Sequence, residues 1–241
     1  RGPLAALADT VQLIYLDHRG SGRSPACDAS TYTLDENIDD VAAFCDYLGL
    51  QRVSILGQSY GGMVAQRLAI RYPELVANLV LSATAPSFRT LEQARGKVAE
   101  RGSADQRRVC EWLWEGGFES EEQLYEYYRL MGPWYSTTFD QERFEKSWQQ
   151  GIRNFRQLNL GFAGFLRTFD HTPQLASIAC PTLVLAGAQD WICPVEQSHI
   201  LAEKIPRAHL KVFPHAAHAI AADENAAYLA AVRGFMTYPA K

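Results

Sequence analysis

Gly57-Gln58-Ser59-Tyr60-Gly61-Gly62 lies between Val53-Ser54-Ile55-Leu56 and Met63-Val64-Ala65-Gln66-Arg67-Leu68-Ala69-Ile70. The first flank is a short apolar run with the length of a buried strand. The second reads as a helix that stops at Tyr72-Pro73, because proline cannot continue it. Strand, G-x-S-x-G, helix is the setting of a nucleophile elbow. So tight a turn predicts a strained backbone at Ser59 and glycines at Gly57 and Gly61, where side chains would collide with strand and helix. It would hold the Ser59 hydroxyl at the carboxyl edge of a sheet, beside helix N-terminal amides that can stabilise negative charge.

Working outward, a serine hydroxyl needs a neighbouring imidazole to take its proton, and the imidazole needs a carboxylate to orient it. In the chain order Ser, Asp, His, the acid follows a late strand and the histidine follows the last one. Asp190 directly follows the apolar run Thr182-Leu183-Val184-Leu185-Ala186-Gly187, and His218 follows Leu210-Lys211-Val212-Phe213. His215 is the rival, three residues nearer the strand; His218 is preferred because Asp223-Glu224-Asn225 lies just beyond it. The other histidines read as surface or packing residues, and no metal spacing occurs among histidines, cysteines and carboxylates. Neither metal nor cofactor is expected.

Composition narrows the class. The 241 residues are 47% hydrophobic and 21% charged, enough for one sizeable α/β core with room for an insertion. A net charge of −4 suggests neither nucleic acid nor an anionic membrane as partner. No apolar run approaches the ~18 residues of a membrane span. Five scattered cysteines without a C-x-x-C pair fit a reducing compartment, hence a cytoplasmic expectation, with Cys193 as a small buried hydrophobe near Asp190.

From the N-terminus, Leu4-Ala5-Ala6-Leu7-Ala8 looks like a helix tail, and Val11-Gln12-Leu13-Ile14-Tyr15-Leu16 reads as a strand. It feeds the tight loop Asp17-His18-Arg19-Gly20-Ser21-Gly22-Arg23-Ser24, in which Arg19 reads as an ion pair or backbone clamp. Thr33-x-x-Glu36 is a capping box opening a helix that ends at Gly49. Leu79-Val80-Leu81 is a further buried strand. Alternating strands and helices imply a doubly wound, mostly parallel sheet. The alternation stops over residues 86–176, which show helical periodicity, carry four of the five tryptophans, and have Gly116-Gly117 and Gly132-Pro133 as breaks. That stretch is expected to be a helical cap, with residues 1–85 and 177–241 forming the core. Residues 195–204 and 224–235 are expected to be helices.

The Asp17–Ser24 loop, Gly57-Gln58-Ser59-Tyr60-Gly61-Gly62, Gly187-Ala188-Gln189-Asp190 and His218 together resemble the proline iminopeptidase group of α/β-hydrolases. The resemblance implies an α/β-hydrolase fold with Ser59 as nucleophile, Asp190 as orienting acid, His218 as general base, and the Tyr60 N–H as one oxyanion donor. His18 stands where the group usually has Gln, and Ala217 where it usually has Gly. The group's His-Gly-Gly-Pro-Gly oxyanion loop is not in the sequence. Its order places a strand leading into that loop between the strands ending at Asp17 and Gly57, so an N-terminal piece bearing that strand, and the second oxyanion donor, is expected to be missing.

The resemblance implies an aminopeptidase releasing N-terminal residues, often Pro, from short peptides or amides. The alternatives are an esterase, lactonase or C–C bond hydrolase on a small carbonyl compound, or a binding protein that kept the fold without catalysis. Between Glu111 and Glu126 lie six glutamates and no Lys or Arg, interleaved with aromatics. Glu111, Glu115, Trp112 and Trp114 are therefore candidates to hold a substrate's cationic amine, although for each glutamate taken singly a solvated helix face is the better reading.

Overall fold

A computed structural model describes residues 2–237 of the chain. In chain order its main elements are α1 (Leu34–Tyr47), β1 (Val53–Gln58), α2 (Tyr60–Arg71), β2 (Val76–Ser82), α3 (Arg89–Arg101), α4 (Ala104–Glu115), α5 (Glu121–Tyr135), α6 (Gln141–Gln150), α7 (Phe155–Ala163), β3 (Thr182–Gly187), α8 (Val195–Lys204), β4 (Ala208–Phe213), α9 (Ile220–Asp223) and α10 (Asn225–Thr237). The strands pair in the order β1-β2-β3-β4, every pair parallel. This is the alternating α/β architecture that the apolar runs call for.

Successive residues of β2 and β3 face opposite layers. Leu79, Leu81 and Val184 pack with Val64, Leu68 and Leu201 on one face. Val80, Leu183 and Leu185 pack with Phe213, Tyr228 and Val232 on the other. Each such fully buried side chain contributes about 1.5–3 kcal/mol, so the two inner strands anchor both layers. A third cluster centres on Trp114, Tyr127, Met131 and Trp191 and covers the carboxyl edge of the sheet. It is built largely by α3 to α7, the five α-helices between β2 and β3.

The structure departs from the sequence expectations in three places. Residues 11–16 form neither helix nor strand among the described residues. Together with β1 they wall an apolar cleft of about 410 Å³, so the Ile14 and Ile55 segments face each other across it without pairing. Gly132-Pro133 does not break its helix: both residues lie in the last turn of α5. A proline that late removes only one terminal hydrogen bond, and the bare Gly132 lets Phe139 pack where a Cβ would come within 2.1 Å of its ring.

The capping box is the third departure. Thr33 accepts from the Glu36 N–H at 3.2 Å, but the Glu36 carboxylate turns outward to Arg19, 2.9 Å away. Arg19 also grips both oxygens of Asp40 at 2.6 and 2.7 Å and donates to the Thr31 carbonyl at 3.0 Å. It is the clamp expected of it, tying the 17–24 loop to α1. Its side chain is 20% exposed, so the network is only partly screened by water. Replacing Arg19 with Met should lower unfolding stability by about 1–3 kcal/mol, read as a reduced denaturant midpoint at unchanged m-value.

Candidate active site

Ser59 links β1 to α2 with φ 52° and ψ −120°, a backbone conformation that L residues rarely adopt. The turn is held on both sides. The Ser59 N–H donates to the Ser82 carbonyl at 3.0 Å, and the Thr84 hydroxyl donates to the Ser59 carbonyl at 2.7 Å. A Cβ on Gly57 would lie 2.3 Å from the Gly61 carbonyl oxygen, so strand and helix touch there. The second tight position is Gly62, whose Cβ would meet Thr84 at 2.6 Å, whereas Gly61 has open space. The constraint expected at Gly61 therefore sits one residue later, because Thr84 approaches from β2's end. The Gly62 and Met63 amides donate to the Ser59 carbonyl. The first amide of α2, at Tyr60, has no partner up the chain by helix geometry.

Asp190 and His218 come from the ends of neighbouring strands. The Asp190 side chain is fully buried; its Oδ2 lies 2.8 Å from His218 Nδ1, and its Oδ1 accepts the Ile192 and Cys193 amides at 2.9 Å each. A carboxylate so engaged fixes the imidazole's orientation and leaves Nε2 as the ring's free nitrogen. A Cβ on Gly187 would lie 2.1 Å from the Ala217 carbonyl oxygen, so the β3 end and the histidine loop pack backbone to backbone.

The acidic stretch beyond His218 holds that loop. Asp223 accepts the Ala217 N–H at 2.8 Å, and Glu224 accepts the His215 N–H at 2.9 Å. The Tyr135 ring packs against the imidazole at 5.5 Å. Ala217 has no positive φ, so alanine sits there without strain.

Ser59, Tyr60, Cys193 and His218 line one cavity of about 600 Å³, under the roof formed by α3 to α7. Burial pushes the Cys193 thiol's pKa well up, which keeps it protonated and unreactive. Among the described residues, Asp190, Cys193 and His218 are the group whose ligand atoms could converge on a metal, lying within 4.8 Å of one another. Both Asp190 oxygens are already engaged by the imidazole and the two amides.

The cap residues expected to touch substrate lie elsewhere. Glu115 is on the surface between Arg95 and Arg167, at 3.1 and 3.0 Å. Glu111 is exposed. Trp112 packs on Phe118 with Arg108 over its ring, and Trp114 is buried against Trp191. None of the four lines the cavity. Helical periodicity explains why: on α4 the side chains that reach inward are Val109, Cys110, Leu113 and Trp114, and the glutamates take the outer face. Tyr135, Arg153 and Gln157 also line the cavity, and no local motif marks them in the sequence.

Three comparisons bear on the chain. The alpha/beta hydrolase fold family model matches residues 3–224. A proline iminopeptidase, PfmaB, of Pestalotiopsis fici is 32% identical over 224 residues, covering 91% of this chain and 79% of that protein. Among solved structures, an alpha/beta fold family hydrolase from Bacillus anthracis superposes with a TM-score of 0.77 at 20% identity, covering 91% and 80% of the two chains. The esterase EaEST from Exiguobacterium antarcticum gives 0.74 at 22%, covering 92% and 80%. None of the described helices is long and apolar enough to cross a membrane.

Substituting Gly187 with Ala should push the histidine loop off β3. The low-field proton resonance of the His218–Asp190 hydrogen bond should then disappear from the NMR spectrum, while Gly61→Ala should leave it in place.

Proposed function

The chain belongs to the alpha/beta hydrolase fold family, and from that premise we propose that it is a serine hydrolase working through an acyl-enzyme on small neutral carbonyl compounds, esters or lactones. His218 Nε2 takes the Ser59 proton as Oγ attacks the acyl carbon. The tetrahedral oxyanion is held by the Tyr60 N–H, and collapse expels the leaving group with the proton from His218. Water, deprotonated by the same imidazole, then releases the acid and restores Ser59. Asp190 stabilises the imidazolium that forms at each step. The strained backbone at Ser59 and the Asp190–His218 hydrogen bond support these roles.

One observation carries the substrate class: among the described residues, no Asp or Glu lines the cavity that holds Ser59. A cationic amine entering it would lose hydration with no countercharge to replace it. The cavity's arginine, Arg153, does not change this balance in favour of cations. Its guanidinium donates to the carbonyls of Ser147, Trp148 and Gly151 at the end of α6 and stacks on Trp148 at 4.0 Å. The aminopeptidase reading stands second, favoured by the 32% identity to a proline iminopeptidase.

Ser59→Ala and His218→Ala should each lower kcat/KM by at least about 10³-fold with folding unchanged, while His215→Ala should stay near wild type. A p-nitrophenyl ester should be cleaved faster than a proline arylamide, and N-acetylation of the arylamide should not slow it. A tenfold or greater preference for the free amine would move the assignment to the aminopeptidase.

A further inference from the structure

The apolar surface that the cavity offers a ligand is mostly aromatic. Its aliphatic lining residues Met63, Leu113, Leu124, Leu166 and Ile192 are each at most 8% exposed, because their side chains are taken up by core packing. Leu91 and Leu158 are the aliphatic exceptions. The rings differ: Tyr60, Tyr128, Tyr135, Phe144, Trp148 and Phe165 line the same cavity, and each keeps part of its surface accessible. For Tyr128 and Tyr135 that surface opens inward. Burial raises the pKa of both phenols, so neither ring stands at the outside of the molecule, and the cavity is where their remaining surface lies.

The rings also form a continuous run. Tyr135 packs on the His218 imidazole at 5.5 Å between centroids, Tyr128 on Tyr135 at 5.9 Å, Trp148 on Tyr128 at 6.3 Å, and Phe144 on Trp148 at 5.7 Å. Helix spacing produces it. Tyr128 and Tyr135 stand seven residues apart on α5, and Phe144 and Trp148 four apart on α6, so each pair shares a helix face. Those two rings are the only large apolar side chains of α6, a helix with no buried residue. On the nucleophile's side, Tyr60 follows Ser59 in the chain and packs on Phe165 at 5.6 Å. Aromatic surface therefore starts beside both Ser59 and His218 and extends away from them along the roof.

We infer that the cavity is built for a flat, uncharged aromatic ring, carried by the substrate next to its reacting carbonyl. The inference rests on the serine-hydrolase reading for its turnover assay and narrows the substrate class that reading leaves broad. A saturated ring of the same carbon count would bury similar apolar area and gain nothing more. An aromatic ring adds an edge-to-face or offset contact with every wall ring it meets at a centroid distance of about 4.5–7 Å. A cation would also be drawn to ring faces. Here, however, the Arg153 guanidinium already lies 4.0 Å from the Trp148 centroid and brings its own positive charge to the cavity.

The test sets each aryl substrate against its saturated twin, so that hydrophobic burial cancels. Methyl 3-phenylpropanoate against methyl 3-cyclohexylpropanoate places the ring on the acyl side. The pair 2-phenylethyl acetate and 2-cyclohexylethyl acetate places it on the alcohol side. Acid release is followed directly, and each rate is normalised to its hydroxide rate. Wild type should favour the aryl ester about fivefold or more in kcat/KM in at least one pair. Trp148→Leu should at least halve that ratio, and Phe144→Leu should lower it as well; neither residue belongs to a buried core, so both variants should fold. The inference is overturned if the saturated ester is cleaved as fast in both pairs, if neither substitution changes the ratio, or if acetylcholine is preferred to 2-phenylethyl acetate.

A second measurement does not depend on turnover. In calorimetry the Ser59→Ala protein should bind 3-phenylpropanamide about fivefold or more tightly than 3-cyclohexylpropanamide. Equal binding, or tighter binding of the saturated ring, overturns the aromatic site. An aryl preference in a protein whose wild-type form takes no serine-directed fluorophosphonate at Ser59 keeps the site and counts against the hydrolase reading alone.

Discussion

The site depends on a contact with no side chain in it. Gly57 of β1 meets the Gly61 carbonyl of α2 at a distance that excludes even a methyl group. Only with strand and helix this close must the residue between them take φ near +52°. Such a conformation costs on the order of 1–3 kcal/mol and persists because the surroundings overdetermine it. Here the restraints are the Ser82 carbonyl on one side and the Thr84 hydroxyl on the other. The strain is therefore supported from β2, and the pairing of β1 with β2 holds the serine in place as much as the turn itself does.

The second half of the site is built by the same means. Gly187 allows the β3 end to lie against the Ala217 carbonyl, and Asp190 is locked by the Ile192 and Cys193 amides before it reaches His218. Carboxylates further along the chain, Asp223 and Glu224, grip the histidine loop by its backbone. Backbone contacts at strand ends set the geometry, and the helices above the edge determine what can enter it.

That division explains what could be read from the sequence. Ser59, Asp190 and His218 each follow an apolar run within a few residues, and local signals of this kind survive without knowledge of the fold. Arg19 was legible too, since a guanidinium in a tight loop seeks carboxylates, and Asp40 and Glu36 lie one helix away. Residues 11–16 read as a strand from β propensity alone, but a strand exists only through its partner's hydrogen bonds, which propensity does not encode. The tight position falls at Gly62 instead of Gly61 for a related reason: Thr84 approaches from beyond the end of β2. In the roof, aromatic and acidic residues alternate too densely for composition to say which face turns inward. Gln157 meets Gly20 across well over a hundred residues of chain, and nothing near either one announces the other.

The placement of the five helices between β2 and β3 also bears on how the molecule assembles. Leu79 pairs with Thr182, so the centre of the sheet joins segments about 100 residues apart. The β1–β2 pair and the β3–β4 pair each close much shorter loops. Loop-closure entropy rises with the logarithm of length, and non-local parallel pairing is intrinsically slow. Helices of the insertion and the two outer strand pairs can form from nearby contacts, whereas the central seam must wait until the intervening chain is compact. The carboxyl edge of the sheet straddles that seam, with Ser59 on one side and Asp190 and His218 on the other. A chain only partly folded thus has the Ser59 turn and the Asp190–His218 pair in separate halves, and the cavity that unites them arrives with the last long-range step.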